Sequence, residues 1–375
     1  MPGYEIIDKK EKKAVENIFK EGGIFFAHGF DKVRQKYHVR EFEKDFLKKI
    51  KSKNALAVTS GTAAIKIALK ALGVKPGDEV ITQSFNFIAT VEAILDLNAI
   101  PKIVGVNKSL NMDPEELKKK ITKKTKVVIP VHMLGFPCEM SKIKSICKKK
   151  NVKILEDNCE AIGGKYNNRY LGTLSDVGVM SLDFGKIITT GEGGMILTNN
   201  KKIYSYCKEY HDHGHQNNPK YSRGEDTKKI YGFNYRMTEF QGAIGKVQLK
   251  KLDKILKDCK KKYKILEKII SKKYELRKLP IGGTPNYDTF IFFIKNSKIK
   301  KKILFTLRKH KIGTKNLPDS LKWHCTYYWS HALAKKEIAE SKKTKDLLSM
   351  SLAVPINYKI SLSRYKNLAK DIVSL

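Results

Sequence analysis

Two hydrophobic patterns alternate along the middle of the chain. Short apolar runs predict β-strands at residues 79–82, 127–131, 152–156, 177–182 and 195–198. Between them, apolar residues that recur every three or four positions predict helices at residues 65–72, 91–97 and 140–149. Strands that alternate with helices are typical of an α/β fold whose largely parallel sheet is covered on both faces.

The last third of the chain has a different pattern. Residues 237–273 have a long helical periodicity, followed by a strand-like run at 290–294 and a helix-like stretch at 300–309. We interpret this part as a smaller domain joined by a long helix. The predicted division is a large domain at residues 1–245 and a smaller C-terminal domain at 246–375, in keeping with the length of 375 residues.

Composition narrows the class of protein. The apolar fraction of 41% is ordinary for a soluble globular protein, and no apolar run is long enough to predict a membrane span. The N-terminus lacks the pattern of a secretory signal, and the six cysteines have no paired or metal-binding spacing. We therefore expect free thiols, a cytoplasmic location and no membrane partner.

The formal charge of +37 raises the possibility of a basic nucleic-acid-binding protein. Only eight of the 75 basic residues are arginine, the usual reader of bases and phosphates. The lysines lie in runs without interleaved aromatic residues, as at 148–150 and 260–262. We therefore expect no nucleic-acid partner, and interpret the charge as solvated surface with some attraction for anionic substrates.

Two segments have the chemistry of a phosphate site and a ring-stacking site. Thr59-Ser60-Gly61-Thr62 leads into a predicted helix, where free backbone N–H groups bind anions. Phe87 follows a predicted strand, where an aromatic ring can stack on a planar ligand. Taken alone, the first is equally a simple helix cap and the second a core phenylalanine.

Two further segments place charged groups next to these. Asp157 ends a predicted strand, the position at which open α/β sheets bind ligands, and would need a cationic partner if buried. Lys186 precedes the glycine cluster at 191–194, and apolar neighbours predict a lowered pKa for its amine. Alone, Asp157 is equally explained as a helix cap, whereas Lys186 is better explained as a solvated loop lysine. A phosphate cradle, a stacking aromatic, an acid and a lysine together fit pyridoxal phosphate.

These segments resemble the DegT/DnrJ/StrS sugar aminotransferases, a family within fold type I of the pyridoxal-phosphate enzymes. The matching motifs are Ser-Gly-Thr-Ala-Ala from residue 60, Glu-Asp-x-x-x-Ala from 156, Lys-x-x-Thr-x-Gly-Glu-Gly-Gly from 186 and Asn-Tyr-Arg-Met from 234. The resemblance spans nearly the whole chain. It implies an aspartate-aminotransferase-like α/β fold, with a large three-layer domain around a mixed sheet and a smaller C-terminal α+β domain.

The resemblance also implies which residues hold the ring of pyridoxal 5'-phosphate. Lys186 forms the Schiff base and carries protons during catalysis. Asp157, the second catalytic residue, keeps the pyridine nitrogen protonated, and Glu160 is the polar partner of the ring hydroxyl. Phe87 stacks on the ring. Some family members have histidine in place of the lysine and act as dehydratases, so Lys186 favours transamination over dehydration, although a dehydrating or regulatory protein that keeps the cofactor stays an alternative.

At the phosphate end, the resemblance implies contacts from Gly61, Thr62 and Ser181. It places Asn234 against the phosphate of the neighbouring subunit's cofactor. The implied assembly is therefore a homodimer with its active sites at the subunit interface.

Four segments also resemble the subgroup that aminates an oxidised octulosonate sugar, the 8-amino-3,8-dideoxy-D-manno-octulosonate transaminases. They begin at Met1, Ser181, His211 and Lys322. This subgroup implies transfer from L-glutamate to a keto or aldehyde sugar, here 8-dehydro-Kdo, in surface polysaccharide (lipopolysaccharide) biosynthesis. The Asp-Phe-Gly sequence before Lys186 departs from the subgroup, so a nucleotide-linked 4-keto-6-deoxy sugar is the alternative substrate.

A group of histidines, with an arginine and a tryptophan, completes the candidate residues. They are typical of a pocket for a carboxylated or phosphorylated sugar, and each histidine is equally explained by a structural hydrogen bond. Their spacing does not predict a metal site. The candidate substrate-binding residues are His213, His215, Arg223, Trp323 and His324.

Overall fold

The computed structural model describes residues 2–30, 33–34, 36–218 and 220–375. The likeness that begins at Met1 therefore starts outside the described residues. The strands are β1 Asn54–Val58, β2 Glu79–Gln83, β3 Ile100–Val104, β4 Thr125–Ile129, β5 Lys153–Asp157, β6 Lys165–Tyr166, β7 Arg169–Tyr170, β8 Val177–Ser181, β9 Gly194–Thr198, β10 Gly283–Thr284, β11 Thr289–Phe293 and β12 Ser351–Pro355.

The helices pack around these strands. They are α1 Pro2–Glu5, α2 Lys9–Lys20, α3 His38–Ile50, α4 Gly61–Ala71, α5 Ala89–Leu95, α6 Pro114–Lys120, α7 Met140–Lys149, α8 Lys201–Tyr210, α9 Glu239–Ile270, α10 Ser297–Lys309, α11 Leu321–His324, α12 Lys335–Glu340, α13 Lys342–Ser349 and α14 Leu362–Ser374. Single 3-10 turns occur at Met133–Gly135, Arg223–Glu225 and Thr326–Tyr328.

The largest sheet in the described residues has seven strands in the order β1-β9-β8-β5-β4-β2-β3. The pairs from β8 through β5, β4 and β2 to β3 are parallel, and β9 is antiparallel to both β8 and β1. The sheet is thus mixed, as the family resemblance implies. Because the parallel strands run the same way, their carboxyl ends lie along one edge.

Alternate residues of each strand enter cores on opposite faces of the sheet. Leu56 and Val58 of β1 pack with Ile65 of α4 and Cys207 of α8. Ala55 on the same strand enters the opposite core. That second core includes residues of α3 and α9, and α7 covers the sheet farther along. The result is the expected arrangement of helices, sheet and helices, so the predicted fold class is confirmed.

The C-terminal part is built around the antiparallel pair β11 and β12. Helices α10 and α14 pack near this pair, and α9 runs from the large sheet to it. The predicted boundary at 245/246 falls inside α9. The division into two domains stays a prediction.

None of the helices in the described part of the chain has the length and apolar character needed to cross a lipid bilayer.

Candidate active site

A cavity of about 400 Å³ opens at the carboxyl edge of the large sheet. Asp157 and Ser181 end β5 and β8, and Phe87 and Val131 follow β2 and β4. Parallel strands bring these positions together although they are far apart in sequence. The cavity is lined by Ser60, Gly61, Thr62, Ile65, Asn86, Phe87, Ala89, Thr90, Val131, Met133, Asp157, Cys159, Glu160, Ser181, Asp183, Gly185, Lys186, Glu192, Lys315, Asn316 and His324.

Lys186 lies in a turn after β8, with its side chain 22% exposed. Its Nζ is 3.6 Å from Oε1 of Glu160. Burial lowers the pKa of the Lys186 amine, but nearby acidic groups, above all the Glu160 carboxylate, outweigh burial and raise the pKa. The sequence-based expectation of a lowered pKa is therefore wrong for the protein without ligand, because the acidic neighbours come from segments distant in sequence.

Asp157 is 3% exposed. Its Oδ2 accepts a hydrogen bond from Thr90 Oγ1 at 3.1 Å, and its Oδ1 accepts one from the backbone N–H of Cys159 at 3.1 Å. Burial raises the pKa of the Asp157 carboxyl above its usual range. A carboxyl held in this way is stabilised as an anion by a cationic N–H donor that enters the cavity.

Glu160 lies beside the lysine. Its Oε2 accepts a hydrogen bond from the backbone N–H of Leu134 at 3.0 Å. Although burial opposes it, the positive charges of Lys186 and Lys315 lower the pKa of Glu160 to about 2. Glu160 is therefore an anion throughout the physiological pH range.

The start of α4 forms the small-residue end of the cavity. Ser60 caps the helix by accepting a hydrogen bond from the N–H of Ala63 at 3.1 Å. A Cβ atom on Gly61 would lie 2.9 Å from Cβ of Ser181 and 3.2 Å from Sγ of Cys159. The backbone N–H groups of this first turn point along the helix dipole toward the cavity, which suits an anion such as phosphate.

Phe87 and His324 lie together at the mouth of the cavity. Phe87 is 47% exposed, and its ring centroid is 5.7 Å from that of His324. The Nδ1–H of His324 donates to the carbonyl of Ser320 at 2.8 Å. Burial lowers the pKa of His324, so the ring is neutral and its Nε2 has a free lone pair.

The remaining predicted residues lie outside the lining of this cavity in the described chain. Arg223 donates two hydrogen bonds to the buried Asp212, and His215 Nδ1 lies 3.2 Å from Oδ2 of Asp226. Trp323, 64% exposed, is the neighbour of His324 but points elsewhere, and His213 and Asn234 are exposed. The structure thus groups the predicted cofactor residues except Asn234, together with His324. The roles assigned to all of these residues stay predictions.

Lys315 and Asn316 also line the cavity, and the sequence analysis missed them. They follow α10 and reach the site from the C-terminal part of the chain. Lys315 is 8% exposed and donates to Oδ2 of Asp288 at 2.9 Å. The chain has 67 lysines, and Lys315 lies outside any recognisable motif, so no sequence signal indicated that it belongs to the site.

The residues present fit pyridoxal phosphate. The Gly61 cradle lacks room for a side chain, Asp157 is a buried acid without a cationic hydrogen-bond partner among the described residues, and Lys186 lines the same cavity. Phosphate, pyridinium nitrogen and aldehyde are the complementary groups.

Comparisons with known proteins agree with this chemistry. Residues 6–373 match the profile of the DegT/DnrJ/EryC1/StrS aminotransferase family. A GDP-perosamine synthase of Escherichia coli O157:H7 is 38% identical over 217 residues, 58% of each chain. A GDP-perosamine synthase of Vibrio cholerae is 35% identical over 259 residues, 68% of this chain and 67% of the relative. The alignment thus spans less than two thirds of the Escherichia coli relative.

A solved structure gives the same result for the fold. It is a mutant GDP-4-keto-6-deoxymannose-3-dehydratase with bound GDP-perosamine. It superposes with a TM-score of 0.80 at 25% identity and covers 98% of both chains. The cofactor expected from the sequence, pyridoxal phosphate, is confirmed as that of the family.

Proposed function

We propose, since the chain belongs to the DegT/DnrJ/EryC1/StrS aminotransferase family, that it is a pyridoxal-phosphate-dependent transaminase that moves an amino group from L-glutamate to a keto or aldehyde sugar. One observation carries this proposal: Lys186, Asp157, Glu160 and the Gly61 turn line a single cavity at the carboxyl edge of the sheet. That combination of a nucleophilic amine, two carboxylates and an anion cradle matches the cofactor in shape and charge.

Lys186 is the proton carrier in this proposal. When bound, the cofactor supplies a carbonyl carbon and a ring that accepts electrons. With the cofactor bound, the Lys186 amine would act as the base that removes the proton from the donor α-carbon and as the acid that returns it. Glu160, 3.6 Å from Nζ, favours the protonated amine and so helps the return step.

Asp157 acts at the opposite end of the site. As a buried carboxylate, it holds a proton on the ring nitrogen by giving that cation a partner. Thr90 and the N–H of Cys159 fix both carboxylate oxygens, so the charge is oriented before any ligand arrives. The start of α4, with Ser181, holds the phosphate.

Lys186 also supports transamination over dehydration. In the family, a histidine at this position accompanies dehydratase activity, whereas a lysine is needed both to release and to reprotonate the cofactor. A GDP-4-keto-6-deoxymannose-3-dehydratase solved with a PLP-glutamate adduct, which this chain resembles in fold at 25% identity, therefore supports the cofactor but not a dehydration reaction.

The acceptor we favour is a nucleotide-linked 4-keto-6-deoxy sugar. It is supported by the two GDP-perosamine synthases, at 35% and 38% identity. The second candidate, 8-dehydro-Kdo, is supported by the segments at 211–226 and 322–331. His324 of the latter segment lines the cavity. Either product is suited to surface polysaccharide biosynthesis.

A two-substrate half-reaction tests this proposal. The protein is first aminated with L-glutamate and then offered GDP-4-keto-6-deoxymannose or 8-dehydro-Kdo, with recovery of the visible cofactor absorption and the mass of the amino sugar as readouts. Recovery with the nucleotide sugar supports the favoured acceptor, and recovery with 8-dehydro-Kdo alone replaces it. Lys186→Ala is expected to bind the cofactor but to lose both half-reactions, and full activity of that variant would overturn the transaminase proposal.

We also propose a homodimer with its sites at the subunit interface. The exposed position of Asn234, outside this chain's own cavity, suits a residue that serves a partner subunit. Exposed Tyr231 and Phe233 flank it and supply apolar surface for such a contact. A cytoplasmic location is part of the same proposal.

A further inference from the structure

The cavity holds a second, fixed ammonium group. Lys315 Nζ donates to Oδ2 of Asp288, which is 4% exposed. The backbone N–H of Lys315 donates to the carbonyl of Ala353 on β12 at 3.0 Å. An ammonium group has three N–H donors, and Asp288 takes one of them among the described residues. The other two are available to an acceptor that enters the cavity.

Lys315 is one of two lysines in a cavity whose other charged lining residues are acidic. Apart from the two lysines and His324, the ionisable lining residues are Asp157, Glu160, Asp183, Glu192 and Cys159. Lys186 and Lys315 line the same cavity, and the positive charges of both lower the pKa of Glu160. Once Lys186 is engaged in chemistry, Lys315 is the cation that the described lining residues still offer to an anion.

The chemistry of transamination indicates which substrate anion would pair with the Lys315 ammonium group. In an amino-acid donor, the α-carboxylate is bonded directly to the carbon that loses its amine. That carboxylate must therefore enter the cavity next to Lys186. The phosphates of a nucleotide sugar, or the carboxylate of a long sugar acid, are several bonds from the reacting carbon. A buried cation that lines the same cavity as Lys186 thus suits the donor better than the acceptor.

We propose that Lys315, positioned by Asp288, binds the α-carboxylate of the amino-acid donor. The inference rests on the proposed transaminase function. Asp288 fixes the direction of the ammonium group, and its own charge is satisfied by Lys315 and by a hydrogen bond from Thr289 Oγ1 at 2.7 Å. Lys315 is then a binding residue, and Asp288 is a positioning residue.

The test compares two variants of the same ion pair. Lys315→Gln alone would leave Asp288 buried without its partner and risks misfolding. The double variant Lys315→Gln/Asp288→Asn removes the cation and the orphaned anion together. Asp288→Asn alone disturbs the same pair but keeps the cation. Lys301→Gln, an exposed lysine on α10, is the control for a general loss of positive charge.

Two donor measurements are made on each cofactor-loaded protein. One is the L-glutamate concentration that half-saturates loss of the visible cofactor absorption. The other is calorimetric binding of α-methyl-L-glutamate, which has the α-carboxylate but no α-hydrogen to lose. We expect the double variant to need about 10- to 100-fold more of either compound. Asp288→Asn keeps the cation but loses the group that positions it, so we expect it to weaken binding by less than the double variant does. Lys301→Gln is expected to match the unchanged protein.

The outcomes separate this inference from the proposed function. If the unchanged protein reacts with L-glutamate but the double variant keeps the same donor affinity, the inference is overturned and the transaminase proposal stands. A loss of donor affinity that is as large in Asp288→Asn as in the double variant also overturns it, because the pair is then only structural. If the unchanged protein does not react with or bind either compound, both proposals fail.

Discussion

Asp157 is the residue whose environment most directly supports the proposed cofactor. It is buried and bonded by a hydroxyl and a backbone N–H, and its pKa is raised by burial. Left alone, such a carboxyl is destabilising, because removal of a charge from water has a cost that neutral donors offset only in part. In the proposed function, a protonated pyridine nitrogen is the cationic partner that stabilises the Asp157 carboxylate.

Asp157→Asn tests that role. Asparagine keeps the size of the side chain and can still accept the hydrogen bond from Thr90, but it cannot hold a proton on the ring nitrogen. We expect the L-glutamate half-reaction to slow by roughly 100- to 1,000-fold while the cofactor still binds. Stopped-flow loss of visible absorption measures the rate. The exposed Asp346→Asn is the control, and a rate in Asp157→Asn equal to the control would contradict the assignment.

At the residue scale, the sequence predicted those site residues that lie within recognisable motifs. Lys186, Asp157, Gly61 and Ser181 were recognisable because they stand next to strands, turns and each other in a family-like order. Lys315 was not, because its place in the cavity depends on how the C-terminal segment folds back onto the large sheet. The pKa direction of Lys186 was wrong for the same reason.

In the proposed function, phosphate binding depends on the first turn of α4. Gly61→Ala would place a Cβ atom 2.9 Å from Cβ of Ser181 and 3.2 Å from Sγ of Cys159. We expect weaker pyridoxal phosphate binding and a loss of about 1–3 kcal/mol of unfolding free energy from overpacking. Equilibrium titration with the cofactor and urea unfolding measure the two effects.

Gly224 offers a matched control for this substitution, since a Cβ atom there meets nothing within 4 Å. Gly224→Ala should bind the cofactor like the unchanged protein. If Gly61→Ala binds it equally well, the start of α4 is not the phosphate cradle.

The end of α8 carries a buried histidine that ties stability to pH. His211 is 1% exposed, and its Nδ1–H donates to the carbonyl of Lys208 at 2.5 Å. Burial lowers its pKa to about 4 from an ordinary value of 6.5. Below pH 6.5 the unfolded chain binds a proton that the folded chain does not. Stability is therefore complete above pH 6.5 and falls as the pH drops toward 4.

His211→Gln removes that titration. At pH 5, His211 should reduce the free energy of unfolding by about 2 kcal/mol relative to pH 7. We expect the variant to lose correspondingly less stability between these two pH values in urea unfolding. The exposed His331→Gln should show the pH dependence of the unchanged protein, and the same dependence in His211→Gln would contradict the account.

At the scale of elements, local chemistry decided how well boundaries were predicted. The helix predicted at 140–149 matches α7, whereas the strand predicted at 127–131 ends at Ile129. Pro130 has no N–H to continue the ladder, which explains the shorter strand. The helix predicted from 237 starts at Glu239, because Thr238 and Gln241 form a capping box. Helices α2 and α3 were not predicted, since their charged residues leave few apolar positions.

The whole molecule raises the question of the subunit interface. If Asn234 serves the partner's site, a hybrid of Lys186→Ala and Asn234→Ala subunits has one site with both changes and one site with neither. Mixing the two inactive proteins, with unfolding and refolding to exchange subunits, should then restore about a quarter of full activity, because half of the dimers are hybrids.

The opposite arrangement gives the opposite result. If Asn234 serves the site of its own chain, every site in the hybrid carries one change and no activity returns. Refolded samples of each variant alone are the controls. Sedimentation of the mixture confirms whether dimers form, and a monomeric protein with full activity would contradict the homodimer.

Charge at this scale does not decide function. The excess of 37 positive charges is carried mostly by lysines along the whole chain, many of them exposed on α6, α7, α9 and α10. The order of α/β elements and the mixed sheet followed from the hydrophobic pattern and the family resemblance. The way in which the C-terminal part completes the cavity could not be predicted from the sequence. It depends on contacts such as that of Lys315 with Asp288, which join segments 27 residues apart.

The central claim is that one lysine among 67 binds the cofactor covalently. Borohydride reduction of the protein loaded with pyridoxal phosphate, followed by proteolysis and mass spectrometry, fixes the cofactor to the lysine that holds it. We predict a single modified peptide containing Lys186, one cofactor per chain, and no modification there when L-glutamate is added before reduction. Modification spread over surface lysines, or centred on a lysine other than Lys186, would contradict the account.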